Sequence, residues 1–346
     1  MERFIKEGMA TKLIKMASNT SNNVLVTGGA GFIGSHLCER LLKDRFNVVC
    51  VDNFNAYYEP KRKENNIADC LKYENFMLYR ADILNAKILE DIFSEKKIDI
   101  VIHLAAMAGV RSSIKNPQIY YDVNVDGTKN LLDVSVKYNI KKFIFGSSSS
   151  VYGENKKIPF SEQDEVNTQV SPYAKTKKKA EDLCGQYHRN FGLKITCLRF
   201  FTVYGPRGRP DMAPFMFVES IINNIPIKIY SSKEEFENGS LARDFTYVDD
   251  IINGIMLSVE KNIGFEIINL GKGNPIKINE FVDAIEKLLG KKAEKTFIGR
   301  QKGDVPLTFA DISKARNLLG YAPKTSLEAG MAKFIEWYKK TYEPDT

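Results

Sequence analysis

The sequence has no apolar run approaching the roughly 20 residues that a membrane-spanning helix requires. It has only three histidines, His36, His103 and His188, and they form no ligand cluster. Its five cysteines, Cys38, Cys50, Cys70, Cys184 and Cys197, are odd in number, scattered and without metal-ligand spacing. A disulfide framework and a structural metal site are therefore not expected. Buried thiols in a reducing, cytoplasmic compartment are. Residues 1–22, MERFIKEGMATKLIKMASNTSN, lack the apolar core of a signal peptide and read as a mobile extension. No nucleic-acid motif, internal repeat or low-complexity tract is present.

The 346 residues suit two modest domains or one large α/β unit with an appendage. The net charge of +7 is a mild bias with both signs interspersed. It suits an anionic small molecule, and a solvated surface accounts for most of it equally well.

Short apolar strands alternate with helical patterns along the first half of the chain. NVLVT, NVVCVDN, FMLYRADI, IDIVIHLAA, KKFIFGSSSS and LKITCLRF read as six strands with helices between them. That order predicts a Rossmann-type, doubly wound parallel sheet. After Phe200 the pattern changes: YGPRGRPDMAP reads as loop, DFTYVDDIINGIMLSVEK as strand and helix, FEIINLG as a further strand. INEFVDAIEKLLG and SLEAGMAKFIEWYKKTY read as amphipathic helices. We expect residues 23–200 with about 244–270 to form the sheet domain, and about 201–243 with 271–346 a smaller, interleaved α/β domain.

Gly28, Gly31 and Gly34 stand between the first strand and its helix, flanking Phe32 and Ile33. Such a loop lets backbone approach a pyrophosphate at a helix N-terminus. Asp52 closes the second strand, where a carboxylate binds both ribose hydroxyls and repels a 2′-phosphate, so NAD is favoured over NADP. Asn53 follows it. Asp82 and Ile83, after the third strand, would reach the adenine. Leu104, Ala105 and Ala106 end the fourth strand, where small residues leave room for a cofactor; simple packing explains the two alanines as well. Asn124 would hold backbone near the site.

Ser171 and Pro172 make a helix start, as N-cap and first residue. Tyr173 then sits in the first turn and Lys177 one turn on, on the same face. A helix N-terminus and a nearby ammonium both favour the phenolate, which makes Tyr173 a candidate general base. The pairs Tyr57/Lys61, Tyr138/Lys142 and Tyr152/Lys156 share the spacing but lack this setting.

The glycine loop, HLAA, SSSSVYG, SPYAKTK, LRFFTVYGPRGRPDMA, RDFTYVDD and GDVPLTFAD together resemble the extended short-chain dehydrogenase/reductase family of nucleotide-sugar enzymes. The resemblance runs from about residue 23 to the end. It implies a Ser/Tyr/Lys triad of Ser148, Tyr173 and Lys177, with Ser148 bonding the reacting sugar hydroxyl and Lys177 the nicotinamide ribose. Related dehydratases carry Thr-Asp-Glu, and decarboxylases a Glu, where this chain has Ser148, Ser149 and Ser150. Without a carboxylate there, elimination lacks its acid and base. Oxidation and re-reduction at one carbon remains, which is epimerisation with NAD regenerated in each turnover.

RFFTVYGPRGRPDMA most resembles the UDP-glucuronate 4-epimerase branch, where relatives acting on neutral or N-acetylated hexoses usually carry Asn in place of Thr202. A hexuronate carboxylate calls for a guanidinium and hydroxyls. Arg209 and Thr202, with Ser149 or Ser150, are candidates, and Arg111 is a second arginine. Arg209 as a surface residue or diphosphate contact, and the serines as backbone caps, remain alternatives. The resemblance further implies Arg243 at the diphosphate, Asp304 at the uridine ribose, and Pro210, Met212, Ala213 and Phe215 lining the uracil or sugar pocket. Gln301 stands where some relatives have arginine, between Arg300 and Lys302. The expected partner is a UDP-sugar, with no nucleic acid and no membrane, in a pathway supplying polysaccharide synthesis. Family members commonly form homodimers through helices near 119–138 and 172–190; the stripe Leu131, Val134, Val136 and Tyr138 suits such a seam, or ordinary packing on the sheet.

Overall fold

The computed structural model describes residues 22–299 and 305–343. The N-terminal extension to residue 21, Arg300 to Asp304 and the last three residues lie outside the described range. Seven strands form one parallel sheet: β1 (Asn23–Thr27), β2 (Asn47–Asp52), β3 (Phe76–Arg80), β4 (Ile100–His103), β5 (Lys142–Ser148), β6 (Ile195–Phe200) and β7 (Phe265–Leu270). Their spatial order is β7-β6-β5-β4-β1-β2-β3, which reverses direction between β1 and β4. In such a sheet the crevice beyond the carboxyl ends at that reversal is where ligands bind.

The central strands are buried on both faces, so they read as continuous apolar runs. Alternate residues go to opposite faces. Val24, Val26, Cys50, Ile102 and Ile144 pack on one side, and Leu25, Val49, Val51, Val101 and Phe143 on the other. The first of these cores continues through Phe215, Phe281, Phe334 and Tyr338 of the C-terminal half. All five cysteines are buried free thiols. No helix among the described residues is long and apolar enough to cross a membrane.

Two helices set the site. α1 (Phe32–Lys43) leaves the glycine loop directly, and α2 (Pro172–Phe191) carries the tyrosine and lysine. Ser171 caps α2 by accepting from the Ala174 N–H at 3.2 Å, with Pro172 in the first position. Further along α2, Glu181 takes Arg199 of β6 side-on, Nε to Oε1 at 2.9 Å and Nη2 to Oε2 at 2.8 Å. The same carboxylate accepts from Ser147 Oγ of β5 at 2.6 Å. Both charged side chains are almost wholly buried.

The helix expected near 119–138 is instead two helices, Pro117–Tyr121 and Gly127–Lys137, joined by a π-helical turn, Asp122–Asp126. The turn directs Asn124 inward. The helix Gly127–Lys137 packs its apolar face on its own sheet: Leu131 and Val134 are in the core, and Val136 and Tyr138 pack against it. Leu131 and Val134 are therefore committed to the core, while Val136 and Tyr138 are half-buried.

Glu181→Gln leaves the Arg199 guanidinium buried without its counter-charge, a change that costs about 3–5 kcal/mol. Urea unfolding of the two proteins should show the midpoint falling accordingly, with the slope unchanged.

Candidate active site

At Gly28 the backbone turns through φ +70°, and a Cβ would lie 2.7 Å from the Ala105 nitrogen. At Gly34 a Cβ would lie 2.1 Å from the Gly28 carbonyl oxygen, so α1 can rest on the loop only without a side chain there. Gly31 precedes the helix, whose first free N–H groups meet the crevice. Asp52 ends β2, its carboxylate accepting the Ala30 N–H at 3.0 Å and the Phe54 N–H at 2.8 Å. Its oxygens retain lone pairs toward the crevice, where a ribose diol fits. Asn53 Nδ2 donates to Asp82 Oδ2 at 2.9 Å, tying the ends of β2 and β3 together.

The cavity these loops enclose, about 230 Å³, is lined by Gly28, Gly31, Phe32, Ile33, Gly34, Asp52, Asn53, Asp82, Ile83, Leu104, Ala105 and Ala106. Tyr173 and Lys177 reach it from α2, so every residue expected at a cofactor borders it except Asn124. Asn124 lies behind the wall. Its amide accepts from the Met107 N–H at 2.8 Å and donates to the Met107 carbonyl and Thr176 Oγ1, both at 3.0 Å. It shapes the loop after β4 instead of touching a ligand. A glycine cradle that side chains would fill, with a helix terminus at one end and an acid at the strand end, fits a dinucleotide.

Burial pushes the Tyr173 phenol above its ordinary value, while the Ser148 hydroxyl and the Arg209 charge pull it back down. Burial lowers Lys177 to about 8 against the opposing pull of Glu181. Its Nζ donates to the Gly146 carbonyl at 2.8 Å. Lys177 was expected to tune Tyr173; the cation acting on the phenol is Arg209, because Lys177 is drawn down onto β5.

A second cavity, about 360 Å³, adjoins the first and is lined by Arg111, Thr202, Arg209, Met212, Ala213 and Arg243, among others. Arg209 borders both cavities. Arg111 stacks over the Tyr230 ring at 3.8 Å. Arg243 Nη1 donates to the carbonyls of Ala242 and Pro306, each at 2.9 Å.

Four expected substrate residues stand elsewhere. Phe215 belongs to the core: α3 (Ala213–Ile222) turns it onto Phe334 and Tyr338, while Met216 and Phe217 line the cavity in its place. Pro210 lines neither cavity. Ser150 is used locally: its N–H donates to Ser148 Oγ at 3.2 Å, capping the short turn Ser149–Tyr152, and Ser149 lines neither cavity. Asp304 lies outside the described residues, as do Arg300, Gln301 and Lys302, although Val305 and Pro306 border the second cavity. Sequence reasoning missed Tyr57, set aside as a loop tyrosine, which lines both cavities. It also missed Tyr230 and Lys228. No spacing pattern marks these residues; a tyrosine doublet, Tyr57-Tyr58, soon after Asp52 was the available signal.

A model of the NAD dependent epimerase/dehydratase family matches residues 24–271, more than half the chain. The chain belongs to that family. Among the family's curated proteins, a UDP-glucuronate 4-epimerase of Thermodesulfobacterium geofontis is 47% identical over 320 residues, 92% of this chain and 97% of its own length. The Bacillus cereus UDP-glucuronic acid 4-epimerase, solved with UDP-glucuronic acid and NAD, superposes with a TM-score of 0.85 at 41% identity, covering 92% of this chain and all of its own. A Thermotoga maritima UDP-glucose 4-epimerase, solved with UDP-glucose, gives a TM-score of 0.84 at 34% identity, over 92% and 99%. The fold class, the family and the NAD dependence expected from the sequence are those of these relatives.

The site makes two predictions. Gly34→Ala should weaken NAD binding more than tenfold by titration calorimetry, because its methyl group displaces the loop. Lys177→Met should abolish turnover yet raise the melting temperature of cofactor-free protein at pH 7. The folded value near 8 lies below the ordinary 10.5, so the penalty for a buried ammonium is full below about pH 8. The mutant's advantage should fade between those two values and be gone above them.

Proposed function

We propose that this protein interconverts UDP-glucuronate and UDP-galacturonate by NAD-dependent epimerisation at C4. One observation carries the reading: Tyr173 borders the dinucleotide cavity, the Ser148 hydroxyl and the Arg209 charge both draw its phenol down, and Arg209 also borders the cavity next door.

The glycine loop, Asp52 and the β4 end would hold NAD, with Lys177 at its nicotinamide ribose. When bound, NAD+ takes the C4 hydride and returns it, and brings a positive charge beside the phenol. Ser148 would bond the C4 hydroxyl and Tyr173 would take its proton as C4 gives up its hydride, which would leave a 4-keto sugar. After the sugar turns over in the pocket, Tyr173 would return the proton to the C4 oxygen as the carbon is reduced on its opposite face. Of the carboxylates lining the two cavities, Asp52 and Asp82 belong to the ribose and adenine end. Asp211 is held below the usual carboxylate range, its burial outweighed by Arg209. Among the described residues the one carboxylate lining the second cavity, Asp211, is engaged by Arg209, which supports epimerisation over elimination. Arg209 and Thr202 would bind the hexuronate carboxylate, with Arg243 at the diphosphate.

The division into a sheet domain and a UDP-sugar domain, as expected from the sequence, belongs to this reading. So do a cytoplasmic homodimer and a role in supplying polysaccharide synthesis. A second reading, a 4-epimerase of a neutral hexose, is favoured by the likeness to the Thermotoga maritima enzyme.

Incubation with UDP-glucuronate and trace NAD+, followed by proton NMR of the anomeric signals, should yield UDP-galacturonate without net NADH. Tyr173→Phe should slow it by about 10²–10⁴-fold. A UDP-pentose product, or turnover of UDP-glucose alone, would overturn the assignment.

A further inference from the structure

Arg209 is held in a network that spacing in the sequence does not display. Its Nε and Nη2 each donate to one oxygen of Asp211, both at 2.9 Å. Tyr57 Oη donates to Asp211 Oδ2 at 2.9 Å and lies 3.1 Å from Ser112 Oγ. The centroid of the Tyr57 ring is 5.7 Å from the guanidinium carbon. Tyr57 comes from the loop that Asp52 begins, Ser112 from the helix Val110–Lys115, and Asp211 from the loop entering α3. Three separate segments thus converge on one side chain.

An unrestrained arginine loses much rotamer freedom when it binds an anion, and that loss weakens binding. Here the freedom is removed in advance. Asp211 occupies the Nε and Nη2 edge of the planar fork. The other edge, Nη1 with the second Nη2 hydrogen, is the one that an incoming carboxylate meets with two parallel hydrogen bonds. Asp211 also offsets the guanidinium charge at close range. Recognition at this edge therefore depends on where the fork points more than on net attraction.

We propose that Asp211, steadied by Tyr57, is the positioning residue that lets Arg209 distinguish a hexuronate from a neutral hexose. The inference rests on Arg209 as the carboxylate partner in the proposed function. The sugar carboxylate is present in the ground state and in the transition state alike. Loosening its partner should therefore raise KM and leave kcat nearly alone.

The test compares wild type with Asp211→Asn, Asp211→Glu and Tyr57→Phe. Steady-state kinetics would use UDP-glucuronate, and calorimetry would use UDP-glucuronate, UDP-glucose and UDP. Asp211→Asn should raise both KM and Kd for UDP-glucuronate about tenfold, with kcat within about threefold and the other two ligands unaffected. Asp211→Glu should recover most of the loss. Tyr57→Phe should act in the same direction but less, and add nothing to Asp211→Asn in the double variant. Equal weakening of all three ligands would mean that Asp211 only maintains the loop, which overturns the proposal. So would no change in any of them. Arg209→Ala locates the failure. If it leaves the preference for UDP-glucuronate intact, the assignment of Arg209 itself is wrong, and the proposal falls with it. If it removes the preference while Asp211→Asn keeps it, only the role of Asp211 is overturned.

Discussion

The site hangs on the buried pair of Glu181 and Arg199. Two charges removed from water attract strongly, but only good geometry repays their desolvation. Here the fork and carboxylate meet side-on, and Ser147 satisfies a further lone pair. The bond joins α2 to both β5 and β6. Glu181 stands one turn beyond Lys177 on α2, and that lysine reaches the Gly146 carbonyl of β5. Rotation of α2 by a few tens of degrees would break the ion pair and withdraw Lys177 and Tyr173 from the crevice together. One Arg199 nitrogen, Nη1, is buried without a partner, and the guanidinium lies over the Tyr152 ring at 4.7 Å. The clamp therefore fixes position at some cost in polar satisfaction.

The groups proposed for catalysis carry a related tension. Burial holds Tyr173 toward its neutral form and also works against a charged Lys177. The polypeptide alone is not tuned to produce a phenolate. Ser148 and Arg209 move the phenol in the useful direction, and a cationic ring bound beside it would complete the shift. In the proposed reaction the charge that completes the shift comes with the cofactor, so proton transfer would wait on the dinucleotide.

What could be read in the sequence was what depends on near neighbours. The glycine loop, the acid after β2 and the capped start of α2 are set by backbone geometry within a few residues, so their spacing records their purpose. The seven strands of the sheet were legible for the same reason, as short apolar runs bounded by turns. What was not legible depends on phase or on distant partners. Phe215 was placed in the pocket because its neighbours are there, but a helix starting at Ala213 carries it round to the core. Leu131 and Val134 could have faced a partner or the sheet, and only the packing of their helix decides between them. Tyr57 meets Asp211 across 154 residues of chain, and no local pattern announces such a contact. The π-helical turn that aims Asn124 inward is likewise invisible to a periodicity of 3.6 residues.

The apolar core that begins at Val24 on the sheet runs without interruption to Phe334 and Tyr338 in α4 (Leu327–Tyr342). Proteins that open like a clamshell have polar, sparsely packed seams between their lobes. This one has aromatic rings there: Phe215, Phe334 and Tyr338 interlock edge to face. Wide separation of the two halves would expose that surface to water. Opening of that kind is costly, and the loops at the mouth of the crevice are the cheaper part to move. A dinucleotide that could leave only by moving those loops would suit chemistry that restores its cofactor at the end of every cycle.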